Sequence, residues 1–338
     1  MKVKKLVVCV VSVCLLLAVS VPLVIASGQE DAATSTTEPI VLKAVSFGPL
    51  THNNAAPLKK FMERASTKSE GALRIDYMGA SEVIPLYDQP EALRTGVFDL
   101  LIIFPAAYVG ILPIVGGMNL GDLNPPEWHE SGAHDFLVET HKAANMMYLG
   151  SFAAYEDGSY LFLKEKIEKP EDLAGMKFAS GPTNLLSIAA WGGSGVRVPM
   201  AEKYSALERG VVDGVAGVLA SHYKDSLFEV TKYWVPYSLG SAMTAMIMNL
   251  DSWNTLPEHL QDLIADIMIE LEEETVDVLK VGAEETGRML LDEGMEIVEF
   301  SQAEAMRFFD VSLGAQWAAI EKDVGPAVVS KLKKMLNK

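Results

Sequence analysis

Three stretches hold residue types able to do chemistry. Gly192-Gly193-Ser194-Gly195-Val196 sets a serine among glycines. A nucleophile elbow does the same, but this one lacks the closing glycine and no acid and histidine are marked to activate the serine, so it reads as a loop before a strand. His129, Glu130, His134, Asp135 and His141 are metal-ligating types, yet the histidines stand five and seven residues apart. Neighbours on one helix face fall three or four apart, so a solvated helix face is expected there rather than a metal site. The third stretch is Ser180-Gly181-Pro182-Thr183-Asn184, hydroxyl and amide groups just ahead of a helical pattern over 184–191. A helix start offers free N–H groups and the positive end of its dipole to a polar or anionic ligand. The same residue types also serve as a plain helix cap. No Gly-Lys-Ser/Thr phosphate loop and no dinucleotide fingerprint occurs, and no cofactor is expected.

The third stretch has a defined setting. Pro170 breaks the chain, Gly175 frees a turn, and Met176-Lys177-Phe178-Ala179 is a short, mostly apolar strand that hands over to the helix. Gly195-Val196-Arg197-Val198-Pro199 then reads as a strand, 200–209 as an amphipathic helix, and 210–217 as a turn into another strand. Strand, helix, strand at this spacing predicts a parallel α/β unit with its ligand edge where strands give way to helices.

The chain has 338 residues, 49% hydrophobic and 22% charged, enough for two domains and a full core. Lys2, Lys4 and Lys5 precede an apolar run over 6–25, and small residues follow at Ala26-Ser27-Gly28. Residues 1–26 therefore read as a secretory signal peptide, with an uncleaved anchor as the alternative because the run approaches the ~20 residues that span a bilayer. Cys9 and Cys14, the only cysteines, leave with the signal. Cleavage removes three lysines and no acid, taking the formal charge from −17 to −20. So acidic a chain is a poor partner for nucleic acid or an anionic membrane surface.

Residues 27–38 lack periodicity and read as a flexible tether. Strands are predicted over 40–47, 72–77, 98–104, 146–151, 160–163, 242–249 and 295–300. Helices are predicted over 55–67, 89–95, 125–145, 221–233, 302–310 and 313–322. The longest regular segment opens at Pro257, where Leu260, Leu263, Ile264, Ile267, Met268 and Leu271 repeat at three and four and Glu270, Glu272, Glu273 and Glu274 lie mostly opposite. Continued to Leu291 it spans about 50 Å at ~1.5 Å per residue, too long for one domain. A coiled-coil contact is the alternative, short of the clean heptads that would require.

Pro170-Glu171-Asp172-Leu173-Ala174-Gly175-Met176-Lys177, then Glu202-Lys203-Tyr204-Ser205-Ala206-Leu207, then Gly210-Val211-Val212-Asp213-Gly214 closely resemble the substrate-binding proteins of tripartite ATP-independent periplasmic (TRAP) transporters. Leu250-Asp251-Ser252-Trp253-Asn254-Thr255-Leu256-Pro257 before the long helix resembles the same family's later landmark. The resemblance covers essentially the whole mature chain. It implies an α/β, two-lobed periplasmic-binding-protein (Venus-flytrap) fold with a long helix bridging both lobes. Lobe I would be 39–155 plus 243–282, and lobe II 156–242 plus 283–338. It also implies a periplasmic, non-enzymatic and monomeric receptor that closes on a small organic solute and docks on a TRAP-type membrane permease. An exported enzyme or a sensory input module on the same fold is the alternative.

In typical members the position of Ala179 is an arginine that pairs bidentately with the ligand carboxylate. This chain has none there, and a second basic position that members often carry falls near Gly158, so it too is missing. The resemblance places Phe47, Phe104, Tyr155, Met200 and Gly217 in the pocket walls, with Pro182 beside the helix start. The expected ligand is either a weakly polar organic molecule or an anion held by Ser180, Thr183, Asn184 and the helix N-terminus. Glu156 and Asp157 are expected as exposed hinge charge.

Overall fold

The structure is a computed structural model that describes residues 38–52, 55–153, 158–196 and 198–337. The expected signal peptide and all but the last residue of the tether lie outside the described residues. The strands are β1 (Ile40–Ser46), β2 (Leu73–Gly79), β3 (Leu100–Ile103), β4 (Met146–Phe152), β5 (Ser159–Leu163), β6 (Lys177–Ala179), β7 (Ser194–Val196), β8 (Gly214–Val218), β9 (Tyr233–Val235), β10 (Thr244–Asn249) and β11 (Glu296–Ile297). They form two sheets, ordered β2-β1-β3-β10-β4 and β11-β9-β5-β8-β6-β7. Each sheet is the centre of one lobe of an α/β fold.

β3 and β10 are buried along their whole length because helical layers cover both faces. Leu101, Ile103, Ala245 and Ile247 point into one apolar cluster with Val115, Trp128 and Leu137. Leu100, Ile102, Met246 and Met248 point into the other with Phe61, Ile264 and Leu271. β10 runs antiparallel to both neighbours, returning from the second lobe to fill the gap between β3 and β4.

The second lobe repeats the plan around β5, β8 and β6. One face packs on helices Pro182–Ala190 and Gln302–Val324, through Leu161, Phe178, Ile188 and Phe308. The other carries Phe162, Ala179, Leu207, Val215 and Leu219.

Helix Glu258–Asp292 joins the two, its 35 residues spanning about 52 Å at ~1.5 Å each. Leu260, Ile264, Ile267, Met268 and Leu271 pack under the first sheet. Ala283 and Leu290 pack under the second.

Several elements depart from expectation. The predicted helix over 221–233 stops at Lys224, Ser226 takes a left-handed backbone (φ 54°), and residues 233–235 become strand β9. Two closing helices were expected where one continuous helix runs from Gln302 to Val324. Ser312, in the gap left between them, and Gln316 are buried and satisfied. The Ser187 hydroxyl donates to the Ser312 carbonyl at 2.7 Å, and Trp191 Nε1 donates to Ser312 Oγ at 2.9 Å. Gln316 Nε2 donates to Ser187 Oγ at 2.9 Å and to the Leu239 carbonyl at 2.7 Å. Residues 283–338 were assigned to the second lobe, yet Trp317, Ile320, Val329, Leu332 and Leu336 lie in the first-lobe cluster that holds β3. The helical region over 125–145 is broken by Gly132 at φ 78°.

Glu272, read from the sequence as outward-facing, is only 2% exposed. One carboxylate oxygen accepts the Ser151 N–H of β4 at 2.7 Å, and the other meets His129 Nε2 at 2.7 Å. Gly150 makes this approach possible, since a Cβ there would come within 2.5 Å of the Glu272 carboxylate. The carboxylate bolts the middle of the bridging helix to the last strand before the chain crosses between lobes. Its hydrogen bond raises the pKa of His129. The stabilisation from a raised histidine is complete below the unfolded value and is lost as pH rises through the folded one. Glu272→Ala leaves the Ser151 N–H buried without an acceptor and is expected to cost about 2 kcal/mol in denaturant unfolding. Glu272→Gln, which keeps an acceptor for Ser151, is expected to cost less and to flatten the decline of stability on the alkaline side of pH 6.5.

Candidate functional site

The first lobe presents Phe47 and Phe104 where β1 and β3 end. Their rings pack edge to face at 5.6 Å, and Phe47 packs against His52 at 5.3 Å. Both phenylalanines are half-buried, as residues of a cleft wall rather than a core. On the second lobe, Ser180 to Asn184 follow β6 into helix Pro182–Ala190. Gly181 is the N-cap, and no side chain caps the first turn. The hydroxyl and amide groups are therefore not spent on a helix cap. Ser180 Oγ reaches the Ala216 carbonyl at 3.4 Å, and Asn184 Nδ2 donates to Ser159 Oγ at 2.7 Å. Gly217 is half-buried, paired with Tyr160 across β8 and β5, with open space where a Cβ would stand.

The two walls meet at His52 and Ser221, whose Nε2 and Oγ are 3.4 Å apart across 169 residues of sequence. Ser221 lies four residues beyond Gly217, so the contact joins the strand ends that carry the predicted residues.

Not every predicted residue shares that place. Ala179 has no exposed surface and packs with Phe162, Leu207 and Val215 in the second-lobe core. Met200 is 53% exposed and lines a separate hollow of about 300 Å³ with Tyr204, Asp225 and Leu227. Pro182 is exposed and Thr183 half-buried. Tyr155, Glu156 and Asp157 lie outside the described residues.

Lys203 is the residue that sequence reasoning missed. It opens helix Lys203–Glu208, and among the described residues it forms no ion pair within 4.0 Å and no hydrogen bond. Burial lowers its pKa, partly offset by the carboxylate of Asp225. The signal was present in its spacing, because Ala206 and Leu207, three and four residues on, are the buried face of this helix.

Beside it His222 is 1% exposed and stacked on Phe162 at 3.6 Å. The Thr231 hydroxyl donates to the Leu227 carbonyl at 2.9 Å, so His222 Nε2, 2.9 Å from that hydroxyl, is the donor. Nδ1 is then a buried acceptor with no partner among the described residues. Burial first, and the charge of Lys203 second, push the His222 pKa down to about 3. Burial and Lys224 also lower His52, against Asp225. The interior of the second lobe around His222 is thus of low polarity, with the Lys203 cation close enough to be felt there.

The histidines of 129–141 form neither a metal site nor a solvated face. No group of three or more metal-ligating side chains occurs among the described residues. His129 and His134 stack at 4.2 Å beside Glu272. His141 is fully buried, its Nδ1 against the Leu137 carbonyl at 2.7 Å and its Nε2 against the Tyr108 hydroxyl at 3.1 Å. Burial pushes its pKa down to about 4.

Two sheets on one long helix, with facing strand ends that meet through side chains, define a binding protein of the two-lobed class. The sequence profile described as Bacterial extracellular solute-binding protein, family 7, matches residues 46–322, and the chain belongs to that family. The ectoine-binding periplasmic protein TeaA of Halomonas elongata is 29% identical over 243 residues, covering 69% of this chain and 69% of that protein. A TRAP periplasmic solute-binding protein of Desulfovibrio salexigens, solved with bound orotic acid, superposes with a TM-score of 0.76 at 19% identity, over 88% of this chain and 98% of that one. A Bordetella pertussis extracytoplasmic solute receptor binding pyroglutamic acid, DctP7, gives 0.77 at 15% identity, over 88% and 100%. The relatives are solute receptors, and no described helix of this chain is long and apolar enough to cross a membrane.

Because His222 and His141 are held neutral, the unfolded chain binds more protons than the native one below their ordinary value. Stability is therefore expected to fall as pH drops from 6.5 towards 4. Thermal melts across that window check this, and His222→Gln is expected to give a shallower slope than the parent.

Proposed function

We propose that the chain is exported by cleavage of residues 1–26, captures a small organic acid between its lobes in the periplasm, and delivers it to a TRAP-type membrane permease. The observation that carries the ligand's charge is Lys203. A half-buried ammonium with no ion pair among the described residues is costly unless a counter-charge arrives, and a carboxylate supplies one. Here it takes the place of the arginine that family members carry at the position of Ala179, on the same lobe but from a different helix. Phe47 and Phe104 offer an aromatic wall from the first lobe. Ser180, Thr183, Asn184 and Gly217 offer hydroxyl, amide and backbone groups from the second. His52 and Ser221 close the gap between them.

The relatives solved with orotic and pyroglutamic acid support this reading, since both are small organic acids. The chain departs from the pattern of typical family members in offering the acid a compact, flexible ammonium rather than a planar guanidinium fork. Lysine gives a point charge and less control of orientation, so shape and the aromatic wall must set specificity.

The test is calorimetric titration of organic acids, chosen by native mass spectrometry of protein purified without refolding. Lys203→Met is expected to weaken the acid at least ~10-fold, a loss of ~1.4 kcal/mol. The same change is expected to raise the unliganded protein's stability by about 1 kcal/mol, because an unpaired charge gives way to an apolar side chain of similar size. Unchanged affinity in Lys203→Met would remove the lysine from the site.

A further inference from the structure

A second hollow of about 800 Å³ runs along the crossing segment 236–241. Asn119, Leu120 and Asp122 line it from the first lobe, Tyr160 and Pro236 from the second, and Asp310, Leu313, Gly314 and Trp317 from helix Gln302–Val324. None of the described residues assigned to the solute cleft borders it. Its volume suits an amino-acid-sized or larger guest.

Three features of this hollow point to a ligand. Asn119 Nδ2 donates to the Ser241 carbonyl at 3.0 Å, which fixes the amide's orientation. Its Oδ1 is then a buried acceptor with no partner among the described residues, and a buried acceptor wants a donor. Gly314 sits inside a 23-residue helix, where glycine is less favourable than alanine by ~1 kcal/mol, yet nothing lies within 4 Å of the place a Cβ would occupy. Packing in the folded chain does not require a glycine there, and its bare backbone leaves that part of the groove wall open. Third, the lining carries both signs. Asp310 is an exposed carboxylate that forms no ion pair among the described residues, and Lys333 holds its ammonium 5.0 Å from the Trp317 ring centre.

We propose that this groove is a second small-molecule site, for an amino-acid zwitterion. The ammonium lies against Asp310 with a proton for Asn119 Oδ1, the carboxylate faces Lys333, and the carbon chain packs on Leu313 and Trp317. The walls come from both lobes and from the segment that joins them. A guest there therefore favours one relative setting of the lobes, and its binding is coupled to solute capture in the cleft by linkage.

The test titrates the full mature protein with aliphatic ω-amino acids, using putrescine, which carries only positive charge, and butyrate, which carries only negative charge, as controls. The ω-amino acids are expected to bind at least ~10-fold more tightly than either control. Asp310→Asn and Lys333→Gln are each expected to weaken them at least ~10-fold. Gly314→Leu fills the groove and is expected to abolish binding while the far-ultraviolet circular dichroism and melting temperature stay at or above the parent's, leucine being the better helix former. Lys203→Met is expected to leave amino-acid binding unchanged, which separates this site from the cleft. Coupling is read as a change of about fivefold or more in cleft-ligand affinity at saturating amino acid. The proposal is overturned by any of three results: no binding by the parent, equal binding of putrescine, or amino-acid binding that survives Gly314→Leu and Asp310→Asn.

Discussion

The structure depends on burying one face of a single 35-residue helix under two separate sheets. Neither lobe is wide enough to cover it alone, so each takes a half, and the apolar repeat sets how far apart the sheets stand. At the junction of the halves the repeat admits Glu272, whose carboxylate is tied to the Ser151 amide and to His129. A buried carboxylate with two donors tolerates little displacement, because losing either leaves charge in a poorly solvating place. Rigidity at the centre of the helix leaves the crossing segments as the places where the lobes can shift. The exposed ion pairs of Arg64 and Lys68 with Glu270 and Glu274 on the first half of the same helix contribute little by comparison.

Most of the architecture was legible because it rests on local periodicity. β3 and β10 read as buried strands from unbroken apolar runs, and the bridging helix from its repeat at three and four. Legibility failed where burial is decided by distant partners. Residues 311 and 312 were left outside the two predicted helices, and nothing nearby in sequence announces that Ser187 and Trp191 satisfy Ser312 within one continuous helix. Glu272 sits in a run of acids, and only the glycine at 150 and an amide 121 residues away make room for it. β9 was hidden inside a helical pattern because its pairing with β5 and β11 is wholly non-local.

The candidate site follows the same rule. Ser180 and Asn184 were legible from the handover of strand to helix, whereas Phe47, Phe104 and Gly217 were placed by the resemblance; the structure sets the five at or close to strand ends. Ala179 was chosen for what other members carry there, and its methyl group turned inward to the core. The cation nearby comes instead from Lys203, whose side chain shares a face with Ala206 and Leu207. A lysine in such a stripe reads as an error of amphipathic pattern until the sheet beneath it is known. His52 and Ser221, far apart in sequence, carry no signal that they meet.

The position of β10 bears on how the chain is made. It lies between β3 and β4, yet it follows β4 by about 90 residues and β3 by about 140, so the first sheet has a missing central plank until strands β5 to β9 of the second lobe have been synthesised. The N-terminal half of the nascent chain therefore carries two bare strand edges and cannot lock into its final form. A chain that stays loose until its last third appears is suited to being threaded through a narrow channel, and it also needs protection from sticking to its neighbours on the way.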